Sequence, residues 1–107
     1  MVFINILDKW LRGLTVAIAG GTLSCALAAT PLTVVTEEFA PYSYVERGEV
    51  SGYSTEVVRA GLERAGLDYS IQVYPWARAL QMASTRPNVL IYSMVRTPQR
   101  ETRFHWI

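Results

Sequence analysis

The chain of 107 residues has one cysteine, Cys25, one histidine, His105, and one lysine, Lys9. A lone cysteine has no intrachain partner, which excludes a disulfide scaffold. A lone histidine excludes a multi-histidine metal centre, and nothing in the sequence calls for a cofactor. The formal net charge is only +1, so the concentrated Lys/Arg surplus that phosphate binding needs is missing and no nucleic-acid partner is implied. Disorder is excluded from the other side: 50% of residues are hydrophobic, 11% aromatic and only 18% charged. The length allows one small domain.

Part of that length reads as an address. Lys9 and Arg12 precede an apolar run from Leu14 to Leu27, broken only by small or hydroxyl residues, which ends in Ala26-Leu27-Ala28. A charged start, a short apolar stretch and an Ala-x-Ala end define a cleavable secretory signal over residues 1–28. The run falls short of the roughly 20 apolar residues of a permanent span, and Gly20-Gly21 weakens it further as a stable helix. A retained anchor and a lipid-modified Cys25 are the competing readings of this segment. Thr22 stands where a lipoprotein signal usually has leucine. Export places the mature segment, 29–107, in the periplasm. That segment has no lysine, and its arginines balance its carboxylates. A domain so short buries little more than about 60% of its unfolded surface, so its stability is marginal.

Within the mature segment, Leu32-Thr33-Val34-Val35-Thr36 is a β-branched run suited to a strand buried on both faces. It leads into Glu37-Glu38-Phe39-Ala40-Pro41-Tyr42-Ser43-Tyr44, an aromatic loop. Arg47-Gly48-Glu49 predicts a turn flanked by extended Tyr44–Glu46 and Glu49–Val50. Ser54 offers a hydroxyl N-cap and Glu56 a first-turn carboxylate. The spacing of Val58, Leu62 and Ala65 then predicts a helix over about 55–65, stopped by Gly66. Tyr69 to Tyr74 alternates as a strand, and Pro75 suits the first position of a second helix with Trp76, Leu80 and Ala83 on one face. Asn88 to Met94 predicts a third, buried strand, and Thr97 precedes a short helix whose first position is Pro98. Strands alternating with helices predict an α/β fold built on a parallel sheet.

In open parallel sheets, ligands bind beyond the carboxyl ends of the strands. Two segments lie there: the aromatic loop with Phe39 and Tyr42, and the Arg96–Arg100 turn. Together they supply ring faces, helix N-terminal amides and guanidinium forks, a combination that suits a small solute carrying a carboxylate.

Three stretches resemble the family 3 extracellular solute-binding proteins, the periplasmic receptors of polar amino-acid ABC transporters. Phe39-Ala40-Pro41-Tyr42-Ser43-Tyr44 is similar to the family's aromatic-x-Pro-aromatic segment. Gly48 to Val57 is similar to its glycine–aromatic lead into the first helix. Ser93-Met94-Val95-Arg96-Thr97-Pro98-Gln99-Arg100, followed by Phe104, is similar to its Thr-Pro-x-Arg segment. The resemblance implies two α/β lobes that close on a ligand like a clamshell (a type II periplasmic-binding-protein-like fold), of which 29–107 would be the N-terminal, incomplete part of the first. It implies that Arg100 grips the ligand carboxylate, that Ser93 lines the cleft, and that Phe39 and Tyr42 offer aromatic surface. It also implies ABC-transporter membrane subunits as partners, a monomer when complete, and binding without catalysis. The chain departs from the family pattern at Ser54, where an acidic residue is common, and at Val95, where many amino-acid receptors carry a ligand-bonding serine.

Competing accounts stand beside each candidate. Arg100 in a surface ion pair with Glu101 or Glu37, Arg96 facing solvent at a strand end, and Phe39 and Tyr42 as ordinary packing residues are the plain alternatives. Trp76 is either a core residue or, if its helix start points that way, part of the cleft. Glu37 and Glu38 read as solvated loop charges, and His105 as a strand or loop residue. A ligand-sensing input domain of a signalling receptor, or a periplasmic enzyme on the same scaffold, shares the fold-level pattern.

Overall fold

The computed structural model describes residues 2–5 and 30–107. A five-stranded sheet organises the chain in the order β5 (Tyr69–Val73), β2 (Leu32–Thr36), β6 (Val89–Tyr92), β1 (Val2–Asn5), β7 (His105–Trp106), with a separate two-stranded hairpin of β3 (Tyr44–Glu46) and β4 (Glu49–Ser51). Its heart is parallel: β2 (Leu32–Thr36) lies between β5 (Tyr69–Val73) and β6 (Val89–Tyr92), running parallel to both. This is the α/β architecture expected from the alternation of strands and helices.

The two faces of the sheet follow from its pleat, because neighbouring side chains on a strand point to opposite sides. Val34 on β2 and Leu90 on β6 turn to one face and pack with Val58 and Leu62 of helix α1 (Tyr53–Arg64). Their neighbours Val35 and Ile91 turn to the other face. There they meet Ala79, Met82 and Ala83 of helix α2 (Trp76–Thr85), together with Met94 and Phe104. Each fully buried aliphatic side chain of this kind stabilises the fold by about 1.5–3 kcal/mol.

The helices form close to the expected positions, with different ends. Helix α1 begins at Tyr53 with Gly52 as its N-cap, and no side chain caps it, so Ser54 is not the hydroxyl cap that its residue type suggests. The amides of Tyr53, Ser54 and Thr55 are taken instead by backbone carbonyls: Tyr53 N donates to Pro41 O at 3.1 Å and Ser54 N to Tyr42 O at 2.9 Å. A carbonyl from the preceding loop has replaced the cap. The buried stripe is Thr55, Val58 and Leu62, while Ala65 lies past the last helical residue and is exposed. Gly66 ends the helix as expected, in the left-handed region at φ 69°, and Leu67 N returns to Leu62 O at 3.1 Å. Pro75 is the N-cap of α2 rather than its first residue. Helix α3 (Pro98–Glu101) has Pro98 in its first turn, and Thr97 precedes it without a capping bond from its hydroxyl.

One strand was not expected. Val2–Asn5 forms β1, antiparallel to β6, with Val2 opposite Tyr92 and Asn5 opposite Val89. It runs antiparallel also to β7 (His105–Trp106). A Val-Phe-Ile sequence has strand propensity, and β6 otherwise has a row of unpaired backbone groups on that side. The rest of the expected leader, including the apolar run Leu14 to Leu27, Cys25 and Ala26-Leu27-Ala28, lies outside the described residues. Among the described residues no helix is long and apolar enough to cross a membrane.

The hairpin β3 (Tyr44–Glu46) and β4 (Glu49–Ser51) pairs around the predicted Arg47-Gly48 turn, both turn residues at positive φ. Arg59 of α1 fastens it by donating to Val50 O at 2.9 Å.

Candidate functional site

At the carboxyl ends of β2 and β6 the chain leaves a cleft of about 420 Å³, lined by Phe39, Tyr42, Ser54, Ser93, Met94 and Val95. Two loops and one helix start build it.

The loop after β2 makes the aromatic wall. Phe39 N and Ser43 O are bonded at 2.6 Å, Ser43 N returns to Phe39 O at 3.0 Å, and Tyr42 N also donates to Phe39 O at 2.9 Å. This tight turn sets the Phe39 and Tyr42 rings in a stack with centroids 5.5 Å apart and planes 27° from parallel. Both rings remain about half open to solvent, Phe39 at 55% and Tyr42 at 47%. They are not core residues.

Buried hydroxyls hold the loop to the sheet. Ser43 Oγ donates to Glu37 O at 2.8 Å. Thr36 Oγ1 lies 3.3 Å from Tyr92 O and 3.4 Å from Ser43 Oγ, and Thr55 Oγ1 meets the Tyr92 hydroxyl at 2.6 Å. Burial pushes the Tyr92 hydroxyl above its ordinary pKa, against the opposing effect of its bond to Thr55. In the sequence the only signal of this network is the presence of hydroxyl residues inside otherwise apolar runs.

Gly52 completes the join. Its φ of 115° and ψ of 165° belong to a region open essentially to glycine, and a Cβ there would lie 2.4 Å from Tyr42 O. The close approach lets the carbonyls of Pro41 and Tyr42 reach the α1 amides. Those amides are therefore already occupied.

The loop after β6 makes the opposite wall. Ser93 adopts the left-handed region at φ 61°, rare for a residue with a side chain. Its Oγ is buried and has no hydrogen-bond partner among the described residues. Met94 is packed into the α2-side core, whereas Val95 is 67% exposed.

The arginines divide. Arg100 donates through Nη1 to Val95 O at 2.9 Å, and its guanidinium carbon stands 5.5 Å from the centre of the Trp76 ring. It is thus tethered to a residue of the cleft wall and supported from below, and it pairs with neither Glu101 nor Glu37 among the interactions seen. Trp76 is partly buried against the α2-side core and serves as the platform. Arg96 turns elsewhere: Nε donates to Glu101 Oε2 at 2.6 Å, Nη2 bonds Glu101 Oε1, and the guanidinium carbon lies 5.0 Å from the Trp106 ring centre. This two-point bond holds the Glu101 carboxyl below the usual carboxylate range and Arg96 above its ordinary value.

Of the six expected site residues, Phe39, Tyr42 and Ser93 share the cleft. Arg100 stands at its margin on Trp76, and Arg96 is engaged by Glu101. Ser54, Met94 and Val95 join the lining, and their positions directly after a strand or at a helix start were the available signal. Among the described residues there is no group of three or more His, Cys, Asp or Glu placed to hold a metal.

Comparison with known proteins bears on this arrangement. The family model for bacterial extracellular solute-binding proteins, family 3, matches residues 32–107. The L-cystine solute receptor of Neisseria gonorrhoeae, solved in the unliganded open conformation, superposes with a TM-score of 0.57 at 26% sequence identity, over 67% of this chain and 32% of the receptor. The chain therefore spans about a third of that receptor's length. No curated protein matches the chain.

Proposed function

Because the chain belongs to family 3 of the bacterial extracellular solute-binding proteins, we propose that it captures a small carboxylate-bearing solute, an amino acid or a close analogue, for uptake by ABC-transporter membrane subunits. Residues 1–28, strand β1 included, would direct export and be removed, and 29–107, with the parallel strands β5, β2 and β6, would form the N-terminal part of the first of two lobes. The whole receptor would then trap its solute by hinge closure. No chemical step is assigned to it.

The observation that carries this reading is the fixed guanidinium of Arg100. Its tether to Val95 O, a residue of the ring-lined cleft, and its seat on Trp76 fix the group next to that lining and leave its other donors unspent. A planar donor fork held in place beside apolar walls suits a carboxylate, which it meets in two parallel bonds. Phe39 and Tyr42 offer the body of the solute a stacking surface, and Ser93 offers a hydroxyl.

Calorimetry on the native chain with a panel of L-amino acids tests the reading. L-Cystine belongs in the panel, given the ligand of the gonococcal receptor. Arg100→Ala should weaken binding of an α-carboxylate ligand by more than about 2 kcal/mol, because the desolvated carboxylate loses its partner. Unchanged affinity in that variant would remove Arg100 from the role.

A further inference from the structure

We infer that the cleft selects solutes whose side chain is uncharged and apolar, aromatic or sulfur-bearing, rather than the acidic or basic amino acids. This inference rests on the carboxylate-binding reading above and narrows it.

Consider first what lines the cleft. Phe39, Tyr42, Met94 and Val95 supply its apolar surface, and Ser54 and Ser93 supply hydroxyls. No carboxylate and no cationic group is among these residues. A charged side chain drawn into such a wall would lose its hydration without gaining a counter-charge, and burying an unpaired ion is among the costliest changes a binding site can impose. Position 54 adds weight: it opens onto the cleft from the first turn of α1 and carries a hydroxyl, so this wall offers an ammonium or guanidinium group no ion-pair partner.

Three of these apolar groups, Phe39, Tyr42 and Val95, are also deployed as a binding surface, whereas Met94 belongs to the core. The Phe39–Tyr42 stack is held by a hydrogen-bonded turn yet stays about half exposed, and Val95 across from it is two-thirds exposed. Large apolar surfaces fixed in position and left open mark a site where an apolar partner is to be buried.

Ser93 adds an unmet polar demand, the one buried side-chain atom of this kind among the described residues. Its Oγ is buried without a partner, on a backbone held at positive φ. A buried polar atom normally finds a partner, so the solute this cleft accepts brings a donor or acceptor to that point. An α-amino acid with a neutral side chain satisfies all three features: its carboxylate meets Arg100, its α-ammonium donates to Ser93 Oγ, and its side chain covers the rings.

The test uses the native chain and two series of solutes in calorimetry: L-phenylalanine, L-methionine and L-leucine against L-glutamate, L-aspartate, L-lysine and L-arginine. The expected result is at least about tenfold tighter binding of the neutral series, the scale set by an unpaired buried charge. Ser93→Gly removes the hydroxyl while relieving the left-handed backbone, so the fold is kept, and it should weaken the neutral series by about fivefold or more. Val95→Glu places a carboxylate on an already exposed side chain and should shift preference toward L-lysine and L-arginine. Equal or tighter binding of the charged series, still sensitive to Arg100→Ala, would overturn the selectivity and leave carboxylate capture standing. If no amino acid of either series binds, capture and selectivity both fall.

Discussion

The side-chain oxygens of Thr55 and Tyr92 lie 2.6 Å apart, joining the first turn of α1 to the end of β6. Both residues are fully buried, so neither hydroxyl has water to fall back on. Removing one partner strands the other, whereas removing both leaves a smaller penalty. Thr55→Val and Tyr92→Phe should each destabilise the fold by about 1–3 kcal/mol. The double variant should lose clearly less than the sum, because the two residues share one bond. Urea unfolding of the four chains measures this, and strict additivity would show that the bond contributes nothing.

The same tyrosine predicts an alkaline limit. Its folded pKa lies above the ordinary value of 10.0, with burial as the main cause and the Thr55 bond opposing it. Near and above pH 10 the unfolded chain gives up the phenol proton while the folded chain retains it, so folding loses stability as pH rises through that window. Below it the contribution is present in full. Unfolding followed from pH 8 to 11 should show stability falling at the upper end, with a shallower fall in Tyr92→Phe. Parallel curves for the two chains would count against the burial of this hydroxyl.

Gly52 is the position where the cleft is most easily broken without touching it. A methyl group there would collide with Tyr42 O at 2.4 Å and force alanine into a backbone region that it strongly avoids. Gly52→Ala should cost more than about 2 kcal/mol of stability, in line with strained backbone at such positions. It should also free the Phe39–Ser43 turn from α1, which amide exchange at Tyr53 and Ser54 would register as lost protection. Normal protection and stability would mean that the loop is not held by the α1 amides.

Much of this arrangement was legible in the residues. Strands β2, β5 and β6 announce themselves by β-branched runs and alternation, α1 by Val58 and Leu62 at helical spacing, and its end by Gly66. The placement of Phe39, Tyr42 and Ser93 beyond the strand ends follows from the parallel order. What stayed hidden depends on contacts between distant segments. Ser54 has the chemistry of an N-cap, but the helix starts at Tyr53, two residues before such a cap would place it, because the Pro41 and Tyr42 carbonyls supply acceptors that no local pattern encodes. Strand β1 depends on an available edge of β6, a property of the assembled sheet. The split between Arg96 and Arg100 depends on where Glu101 and Trp76 lie, and two arginines four residues apart look alike in sequence.

That split yields the sharpest comparison. Neither arginine is among the residues lining the cleft, but Arg96 has its guanidinium engaged twice over, by Glu101 through two bonds and by the Trp106 ring. Arg100 is held by a single backbone carbonyl and an aromatic seat, which fixes the group while leaving donors unspent. Arg96→Gln should therefore change solute affinity by no more than about twofold, as expected for an exposed ion pair whose donors are already spent on Glu101. Arg100→Lys keeps the charge but gives up the planar fork, and should lose about tenfold or more if recognition is two-point. The paired titrations, run with the tightest-binding neutral amino acid, distinguish the roles directly. A large loss in Arg96→Gln with Arg100→Lys unaffected would transfer the carboxylate grip to Arg96 and require its bond to Glu101 to open on binding.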